Sequence, residues 1–468
     1  MSLTLRMAEH LLLGGAETAP AHDVTFTDVC TNSRAVEPGS LFVCIEGERF
    51  DGHAFAEDAV RAGAAAVLSS KLLDLAVPVL MVRDTVQAMG LLARDVREAT
   101  RATVAAVTGS AGKTTVKEIL ASVAAQNHHV SRNAGNLNNQ IGLPLSIFRA
   151  DPEADLWVLE LGISKPHDMD ELGPVAAPDL AVIHNIGPAH LQGLGSMEGV
   201  ARAKASLLHH LRPDGQAVIN ADYELLRREA LDIRPDAVCY STKDPEAVYH
   251  CSYVRGLEQG RGEYLVRTPD REFTVQAPFC GDHLAENLGA AATAAHLLGY
   301  DPEDFQAGLD QLQAPAQRFA CRTMGRVTVI DDTYNANPVS MAGAVRTAAH
   351  MAAEQSRALV LVLGDMKELG EAACAEHEAL GRLLNEARPV AVLFHGEHAE
   401  DIARGCGDRH AVRTVTGTDA FLRHWRGLAP NLPERGAVVL FKGSRSCRME
   451  DYVQALRGEL ESSPEVRA

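Results

Sequence analysis

The segment VAAVTGSAGKTTVKE at residues 104–118 constrains the fold more than any other part of the chain. A β-branched run is followed by a turn of small residues and then by Lys-Thr-Thr, a pattern that predicts a strand, a phosphate-binding loop and a helix. The backbone N–H groups from Gly109 to Gly112 are predicted to line one concavity, where the positive end of the helix also favours an anion. Lys113 is predicted to reach the β- and γ-phosphates of a nucleotide, and the Thr114 hydroxyl to bind Mg²⁺.

The predicted loop is shorter than the loop of common kinases and GTPases. Their pattern has a glycine five residues before the glycine of Gly-Lys, and that position is Val107 in this chain, so the motif reads T-G-x-x-G-K-T-T. A glycine turn that binds nothing is the alternative interpretation. It gives no reason for a lysine and two threonines at this spacing, so nucleotide binding is the prediction.

Net charge limits the classes of partner. The chain has 468 residues, which suggests about three domains, and a formal net charge of −18. Nucleic acids and anionic membranes both need a basic face, so neither is expected as a partner. The phosphates of a nucleotide must therefore be neutralised locally, by a few cations and Mg²⁺.

Cysteine usage and hydropathy predict a cytoplasmic protein. Nine cysteines are scattered without a C-x-x-C pair, so neither a zinc knuckle nor a redox dithiol is suggested, and free thiols fit a reducing compartment. The first fifteen residues, MSLTLRMAEHLLLGG, interrupt their apolar stretch with Glu9 and His10 and lack a signal-peptide core. No apolar run reaches about eighteen residues, so no membrane span is expected.

The hydrophobic pattern predicts an α/β protein of three domains. A small α/β unit is predicted at 1–100, and a mostly parallel sheet covered on both faces at 101–317. A second doubly wound α/β unit is predicted at 318–468. Alternating residues over 237–277 predict an antiparallel patch inside the second unit. Strands are predicted at 40–45, 64–68, 78–82, 103–107, 156–161, 180–185, 216–220, 326–330, 358–363, 390–395, 411–415 and 437–441.

Polar residues follow the predicted parallel strands of the second unit. Ligands of such sheets bind beyond the carboxyl ends of the strands, and Glu160, Asn185 and the phosphate loop all occupy such ends. Glu160 and Thr114 together offer the hard oxygen ligands that Mg²⁺ prefers, although a solvated glutamate is the alternative. By themselves, His190 is a polar loop residue and Lys204 a solvated helix lysine.

Seven motifs along the chain resemble those of the Mur ligase family, the cytoplasmic ATP-dependent enzymes that form amide bonds in peptidoglycan synthesis. The resemblance covers essentially the whole chain. The motifs, in order, are TNSRAVEPGSLFVCIEGERFDGH at 31–53, TGSAGKTTVKE at 108–118, GNLNNQIGLP at 135–144, NIGPAHLQGLGSMEGVARAK at 185–204, VIDDTYNANPVSM at 329–341, LGDMKELG at 363–370 and FKGSRS at 441–446.

The resemblance implies the substrates and the arrangement of domains. It implies a UDP-sugar-binding domain, a central ATP-binding domain and a C-terminal Rossmann-like domain. The Tyr-Asn-Ala-Asn-Pro segment and LGDMKELG favour the member that joins D-alanyl-D-alanine to UDP-N-acetylmuramoyl-tripeptide. It further implies ATP and two Mg²⁺ ions, with Lys204 carbamylated by CO₂ so that it becomes an anionic oxygen ligand. A monomer is expected.

The resemblance also implies residue roles. The catalytic set is Lys113, Glu160, His190 and Lys204, and the metal ligands are Thr114, Glu160, His190 and Lys204. The ATP-binding set is Thr108, Gly109, Ser110, Ala111, Gly112, Lys113, Thr114, Thr115, Asn287, Arg318 and Asp332. The substrate-binding set is Thr31, Ser33, Arg34, Asp51, Gly52, His53, Asn136, Asn138, Asn139, Asn335, Asn337, Lys442 and Arg445, and Tyr334 lies in the same C-terminal motif.

The predicted reaction captures the energy of ATP as an acyl phosphate, which an amine then attacks. Three alternatives remain open. A sister ligase would add the third, diamino acid residue of the peptide. A regulator would bind nucleotide without catalysis, although the set of Lys113, Glu160, His190 and Lys204 argues against it. A simple kinase would release a phosphorylated product, although the missing upstream glycine disfavours it.

Overall fold

The computed structural model describes residues 3–14, 23–47, 50–312 and 317–462, which form three sheets. The first sheet is parallel, with the strand order β1-β2-β3-β4. Its strands are β1 (Val29–Cys30), β2 (Leu41–Val43), β3 (Ala66–Ser69) and β4 (Val79–Met81). The helices of this part are α1 (Leu5–Leu13), α2 (Ala56–Arg61) and α3 (Thr85–Ala99).

The second sheet has the strand order β13-β12-β11-β10-β9-β8-β5-β7-β6. Its strands are β5 (Thr103–Thr108), β6 (Val130–Arg132), β7 (Leu156–Glu160), β8 (Leu180–Ile183), β9 (Gln216–Asn220), β10 (Val238–Ser241), β11 (Tyr249–Gly256), β12 (Gly262–Arg267) and β13 (Glu272–Ala277). Its helices are α4 (Lys113–Ala124), α5 (Gly142–Arg149), α6 (Asp168–Ala176), α7 (Leu191–Leu194), α8 (Met197–Ala205), α9 (Glu224–Ile233), α10 (Ala285–Leu297) and α11 (Pro302–Gln311).

Helices cover both faces of the second sheet, as the continuous apolar strands predict. Side chains of α4, α10 and α11 join one face in a buried cluster, and side chains of α3, α5, α6 and α8 join the other. The antiparallel prediction for 237–277 was wrong at β10, which pairs parallel with both β9 and β11. It holds for the pairs β11–β12 and β12–β13. Short strands such as β10 carry too few residues for the pattern to reveal their direction.

The third sheet has the order β14-β15-β19-β16-β17-β18 and is parallel except at β14, which pairs antiparallel with β15. Its strands are β14 (Ala320–Met324), β15 (Val327–Asp332), β16 (Ala358–Gly364), β17 (Ala391–His395), β18 (Val412–Thr414) and β19 (Ala437–Lys442). Its helices are α12 (Pro338–Glu354), α13 (Ala373–Ala387), α14 (Ala399–Cys406), α15 (Thr418–Leu428) and α16 (Met449–Ser462). The three sheets lie inside the three predicted domain ranges, whose limits stay a prediction.

Register places three polar segments at one edge of the central sheet. Val107 in β5 pairs with Glu160 in β7, and Thr108 pairs with Ile183 in β8. The phosphate loop, Glu160 and the segment that begins at Asn185 therefore all lie beyond the carboxyl ends of neighbouring strands, where parallel sheets bind ligands. Among the described residues, no helix is long and apolar enough to cross a membrane.

Candidate active site

The phosphate loop turns into α4 at Gly112. This residue has a φ of +75°, and a Cβ at its position would overlap with the side chain of Asn287, so only glycine fits. Helix α4 begins at Lys113, whose Nζ donates a hydrogen bond to the carbonyl oxygen of Gly109 at 3.0 Å. Burial lowers the pKa of Lys113, although the Glu160 carboxylate opposes that shift. The ammonium thus folds back onto its own loop.

The Asn185 side chain accepts hydrogen bonds from two of the loop amides that the sequence predicts will bind an anion. Its Oδ1 accepts hydrogen bonds from the backbone N–H of Ser110 at 2.8 Å and of Ala111 at 3.1 Å. Two of the amides predicted to line one concavity between Gly109 and Gly112 therefore bond to Asn185 in this structure. The first-turn amides of α4 have no intrahelical partners, so they are available to donate to an anion.

Glu160 ends β7 and is buried, with 3% of its surface exposed, so the interpretation as a solvated glutamate is wrong. Its Oε2 accepts from the Thr114 hydroxyl at 2.6 Å, and its Oε1 accepts from Asn138 Nδ2 at 2.7 Å. Asn133 pairs with the Glu160 backbone in both directions, at 2.9 Å each way. A carboxylate and a hydroxyl held this close form the hard oxygen set that suits Mg²⁺.

Lys204 is buried in α8, with 2% of its surface exposed, so the prediction of a solvated helix lysine was wrong. Its Nζ donates to the Gly109 carbonyl oxygen at 3.0 Å, the oxygen that Lys113 also contacts. Burial, and then the charge of Lys113, hold the pKa of Lys204 well below its usual value. Helical periodicity could not reveal this, because the face of α8 that carries Lys204 is covered by a loop distant in sequence.

His184 lies behind the same loop and was not predicted. A Cβ on Gly109 would stand 2.6 Å from His184 Nε2, so the ring fills the space beside that glycine. Within the described residues, neither ring nitrogen of His184 has a hydrogen-bond partner. Burial, together with Lys113 and Lys204, lowers the pKa of His184 to about 3, so the ring is neutral at physiological pH.

His190 connects the central sheet to the C-terminal domain. It adopts a φ of +55° at the start of α7, and its Nδ1 lies 2.6 Å from the Glu368 carboxylate. Burial lowers the pKa of His190, while Glu368 opposes the shift. Glu368 belongs to the LGDMKELG motif but was not among the predicted site residues.

A cavity of about 1300 Å³ lies between the central and C-terminal domains. Many predicted residues line it: Ser110, Ala111, Gly112, Lys113, Thr114, Thr115, Asn136, Asn138, Asn139, Glu160, His190, Asn287, Arg318, Asp332, Tyr334, Asn335, Asn337 and Lys442. Thr108 lies behind the loop, because it is fully buried and its hydroxyl donates to the Leu161 carbonyl at 2.9 Å. The Lys204 side chain reaches the loop through the Gly109 carbonyl.

The C-terminal domain contacts the phosphate loop directly. Asn337 caps α12 by accepting from the Ser340 amide, and its Nδ2 donates to the Ser110 carbonyl oxygen at 3.0 Å. Lys442 Nζ pairs with Asp332 at 2.6 Å and donates to the Asn335 carbonyl. The sequence predicted that these residues bind the substrate or the ribose of the nucleotide. In this structure the Asn337 contact joins the two domains, and the Lys442–Asp332 pair joins the ends of two strands.

Two further cavity contacts concern predicted residues. The Arg318 guanidinium stands 4.0 Å from the centre of the Tyr334 ring, an arrangement in which a cation and a π-face attract. Arg445 is exposed, and its guanidinium pairs with Glu450 at 3.2 Å rather than lining the cavity.

The N-terminal candidates form a separate cluster. Asp51 pairs with His53 at 2.5 Å and with Lys71 at 2.6 Å, and these hydrogen bonds hold the pKa of the Asp51 carboxyl well below its usual value. A Cβ on Gly52 would stand 2.7 Å from the Ile45 amide, so the turn needs glycine. The predicted residues of this domain are absent from the lining of the cavity: Thr31, Ser33, Arg34, Asp51, Gly52 and His53.

Glu286 and Tyr223 were also missed. The Tyr223 hydroxyl donates to Glu286 at 2.8 Å, and Asn185 Nδ2 donates to the same carboxylate at 3.4 Å. Burial raises the pKa of Glu286. Tyr223 and Glu286 are thus connected to the loop amides through Asn185. Of these residues, the sequence pointed only to Asn185, because it follows a predicted strand.

Comparison with known proteins agrees with this geometry. Three family models match: "Mur ligase family, catalytic domain" at 25–133, "Mur ligase middle domain" at 107–295 and "Mur ligase, glutamate ligase domain" at 317–445. A UDP-N-acetylmuramoyl-tripeptide–D-alanyl-D-alanine ligase of Escherichia coli is 36% identical, covering 98% of this chain and 99% of its own. The Bacillus subtilis enzyme of the same name is 33% identical over 92% of both chains.

Solved structures give the same result. MurF from Acinetobacter baumannii superposes with a TM-score of 0.85 at 31% identity, over 95% of both chains. MurF ligase from Thermotoga maritima in complex with ADP gives 0.81 at 30% identity, over 94% of this chain and 98% of its own. The chain belongs to the Mur ligase family.

Proposed function

We propose that this protein joins UDP-N-acetylmuramoyl-tripeptide to D-alanyl-D-alanine with ATP. A carboxylate oxygen of the tripeptide attacks the γ-phosphorus, which forms an acyl phosphate and releases ADP. The amine of D-alanyl-D-alanine attacks the acyl carbon, phosphate leaves, and the nitrogen loses a proton to form the amide. The observation that carries the proposal is a cavity whose lining combines Lys113, Thr114 and Glu160 with residues of the C-terminal domain.

The residues of the chain act mainly by placing charge. A carboxylate that approaches a triphosphate meets repulsion, and Lys113 is the first residue of α4, whose first-turn amides would receive the phosphates. To offset that repulsion, the Lys113 Nζ exchanges the Gly109 carbonyl for phosphate oxygens, and burial strengthens that interaction. Contacts such as Asn337 to Ser110 seat the C-terminal domain over the loop and keep water from the acyl phosphate.

Two residue groups would hold metal. Glu160 and the Thr114 hydroxyl fit one Mg²⁺, because the oxygens are close together, buried and already turned towards each other. His190 and Lys204 are the proposed ligands of a second ion. Bound Mg²⁺ would neutralise the phosphate and carboxylate oxygens as negative charge redistributes.

Carbamylation of Lys204 belongs to the same proposal. Lys113 and Lys204 both contact the Gly109 carbonyl oxygen, where two ammonium groups would repel each other, so burial and Lys113 favour the neutral amine of Lys204. A carbamate on Lys204 would instead attract the Lys113 ammonium. The neutral amine adds to CO₂, an N–C bond forms, and one proton passes to solvent. With ¹³C-bicarbonate, NMR should show a carbamate signal that Lys204→Gln removes, and an active wild type without that signal contradicts this assignment.

A product assay by mass tests the function. With MgATP, UDP-N-acetylmuramoyl-tripeptide and D-alanyl-D-alanine, the expected product is the pentapeptide with one ADP and one phosphate released per amide formed. Supplying UDP-N-acetylmuramoyl-dipeptide with a diamino acid should give no product, and efficient turnover of that pair identifies the sister ligase instead. Rapid ATP hydrolysis without any peptide substrate also contradicts the proposal.

The proposed setting is the cytoplasm, and the proposed unit is a monomer. All nine cysteines are free thiols in the structure, which fits a reducing compartment. The cavity is lined by residues of two domains of this chain. Light scattering at assay concentrations measures the molar mass in solution, and the mass of a stable dimer would contradict the proposed monomer.

A further inference from the structure

A second cluster of ligand-type side chains lies in the C-terminal domain, outside the cavity. Cys374 stands at the start of α13, His398 directly precedes α14, and Asp401 lies in the first turn of α14. One ligand atom from each, a sulfur, an imidazole nitrogen and a carboxylate oxygen, lies within 4.8 Å of the other two. Cys374 is exposed, so solvent reaches the cluster.

Close helix packing fixes the separation of these residues. Gly381 in α13 and Gly405 in α14 face each other, and a Cβ on either would overlap with a backbone oxygen of the partner helix. The two helices therefore approach as near as their backbones permit, which brings their amino-terminal ends together. The cluster therefore lies where two closely packed helices begin.

His398 is held in place before any ligand arrives. Its backbone N–H donates to Asp365 Oδ1 at 3.2 Å, and its ring stacks on His377 with centroids 4.2 Å apart. His377 is not itself available, since its Nδ1 donates to the Ala373 carbonyl and its Nε2 accepts from the Met366 amide. A pre-positioned imidazole loses little conformational freedom when it binds a metal.

The kinds of ligand atom select the kind of metal. Thiolate, imidazole and carboxylate together suit Zn²⁺, whereas Mg²⁺ and Ca²⁺ prefer oxygen ligands alone. Bond lengths of about 2.0–2.3 Å bring tetrahedral ligand atoms to roughly 3.5 Å from one another. The exposed Cys374 side chain can make that adjustment by rotation. Arg404 contacts Asp401 Oδ1, and His398 Nδ1 lies 2.6 Å from Oδ2, so the oxygen nearest the imidazole is the one to bind.

We propose that Cys374, His398 and Asp401 form a Zn²⁺ site, with water as the fourth ligand. The thiol gives up its proton to solvent, the imidazole binds in its neutral form, and the thiolate and carboxylate balance the two charges of the metal. The site requires no part of the proposed ligase chemistry, because none of its ligands lines the large cavity. Its cysteine lies at the start of α13, which follows the loop that brings Glu368 to His190.

Titration of the full chain with a single metal tests the site. Protein treated with a chelator and then dialysed is titrated with ZnCl₂ by calorimetry and with CoCl₂ by absorption. We expect saturable Zn²⁺ binding and a thiolate-to-cobalt charge-transfer band. The band identifies this site, because the ligands proposed near Glu160 and His190 include no sulfur and cannot produce it. Cys374→Ser should abolish the band, and His398→Ala or Asp401→Asn should weaken Zn²⁺ binding at least tenfold.

Controls separate this site from other ligands in the chain. Glu46, Asp51 and His53 form another group with metal-binding spacing, so Glu46→Gln is a matched variant that should leave the titration unchanged. Cys239→Ser controls for general thiol binding. Absence of saturable Zn²⁺ binding in the wild type, or binding that survives unchanged in Cys374→Ser, overturns the proposal. Circular dichroism confirms that each variant is folded.

Discussion

Replacing Asn185 with alanine tests how the phosphate loop is held. The Asn185 side chain is 3% exposed and accepts from the amides of Ser110 and Ala111 at 2.8 and 3.1 Å. Alanine removes both acceptors. The Ser110 amide keeps a weaker partner, the residue-185 carbonyl at 3.2 Å, while the Ala111 amide depends on water. A buried polar group left without its partner costs about 1–3 kcal/mol, so we take about 2 kcal/mol for the variant.

That cost should appear in nucleotide binding. If the loop must be reordered each time a nucleotide binds, 2 kcal/mol corresponds to a roughly thirtyfold weaker Kd for MgADP and a similar rise in KM for MgATP. Because the loop binds the phosphates equally in the ground state and in the transition state, the variant should raise KM and change kcat little. Calorimetry measures the Kd, and initial rates measure the two kinetic constants.

Hydrogen exchange gives a direct measurement of the loop. The Ser110 and Ala111 amides should be protected in the nucleotide-free wild type and exchange faster in Asn185→Ala, whereas Asn185→Asp should keep the protection because it keeps both acceptors. Asn220→Ala is the matched control, because Asn220 is equally buried but bonds the His184 carbonyl rather than the loop. It should lower Tm without changing loop exchange. Unchanged loop exchange in Asn185→Ala would refute the reasoning.

Three further outcomes are expected. Glu160→Gln should lower kcat by about a hundredfold or more and weaken the response to Mg²⁺, because it removes the charged oxygen of the proposed metal site; an unchanged Mg²⁺ titration contradicts this. Gly187→Ala should lower activity because its Cβ would overlap with Val339 on α12, and Val339→Ala in the same chain should restore activity, which rates of the single and double variants check. Burial lowers the pKa of His283 to about 4, so the unfolded chain binds more protons between pH 6.5 and 4, and stability should fall by up to roughly 3 kcal/mol across that range. His283→Leu should flatten this dependence in urea unfolding, and an identical slope in both proteins argues against it.

Local sequence predicted most strands of the parallel sheets, and with the family resemblance it predicted part of the cavity lining. A β-branched run followed by small residues and Lys-Thr-Thr predicts a strand, a loop and a helix, and in the structure the helix begins at Lys113. Register in a parallel sheet then brings strand ends to one edge, which is why the sequence alone predicts Glu160 beside the loop. Continuous apolar strands likewise predicted helices on both faces.

Contacts between distant segments could only come from the tertiary structure. Burial of Lys204, the bond from Asn185 to the loop amides, and the pairing of His190 with Glu368 each join residues tens to hundreds of positions apart. Periodicity reports which side of a helix is apolar, but not whether a loop from elsewhere covers a lysine on it. The chain thus specified its elements and strand ends locally, whereas packing of helices and domains decided which polar groups are buried, which are paired and which remain to receive a ligand.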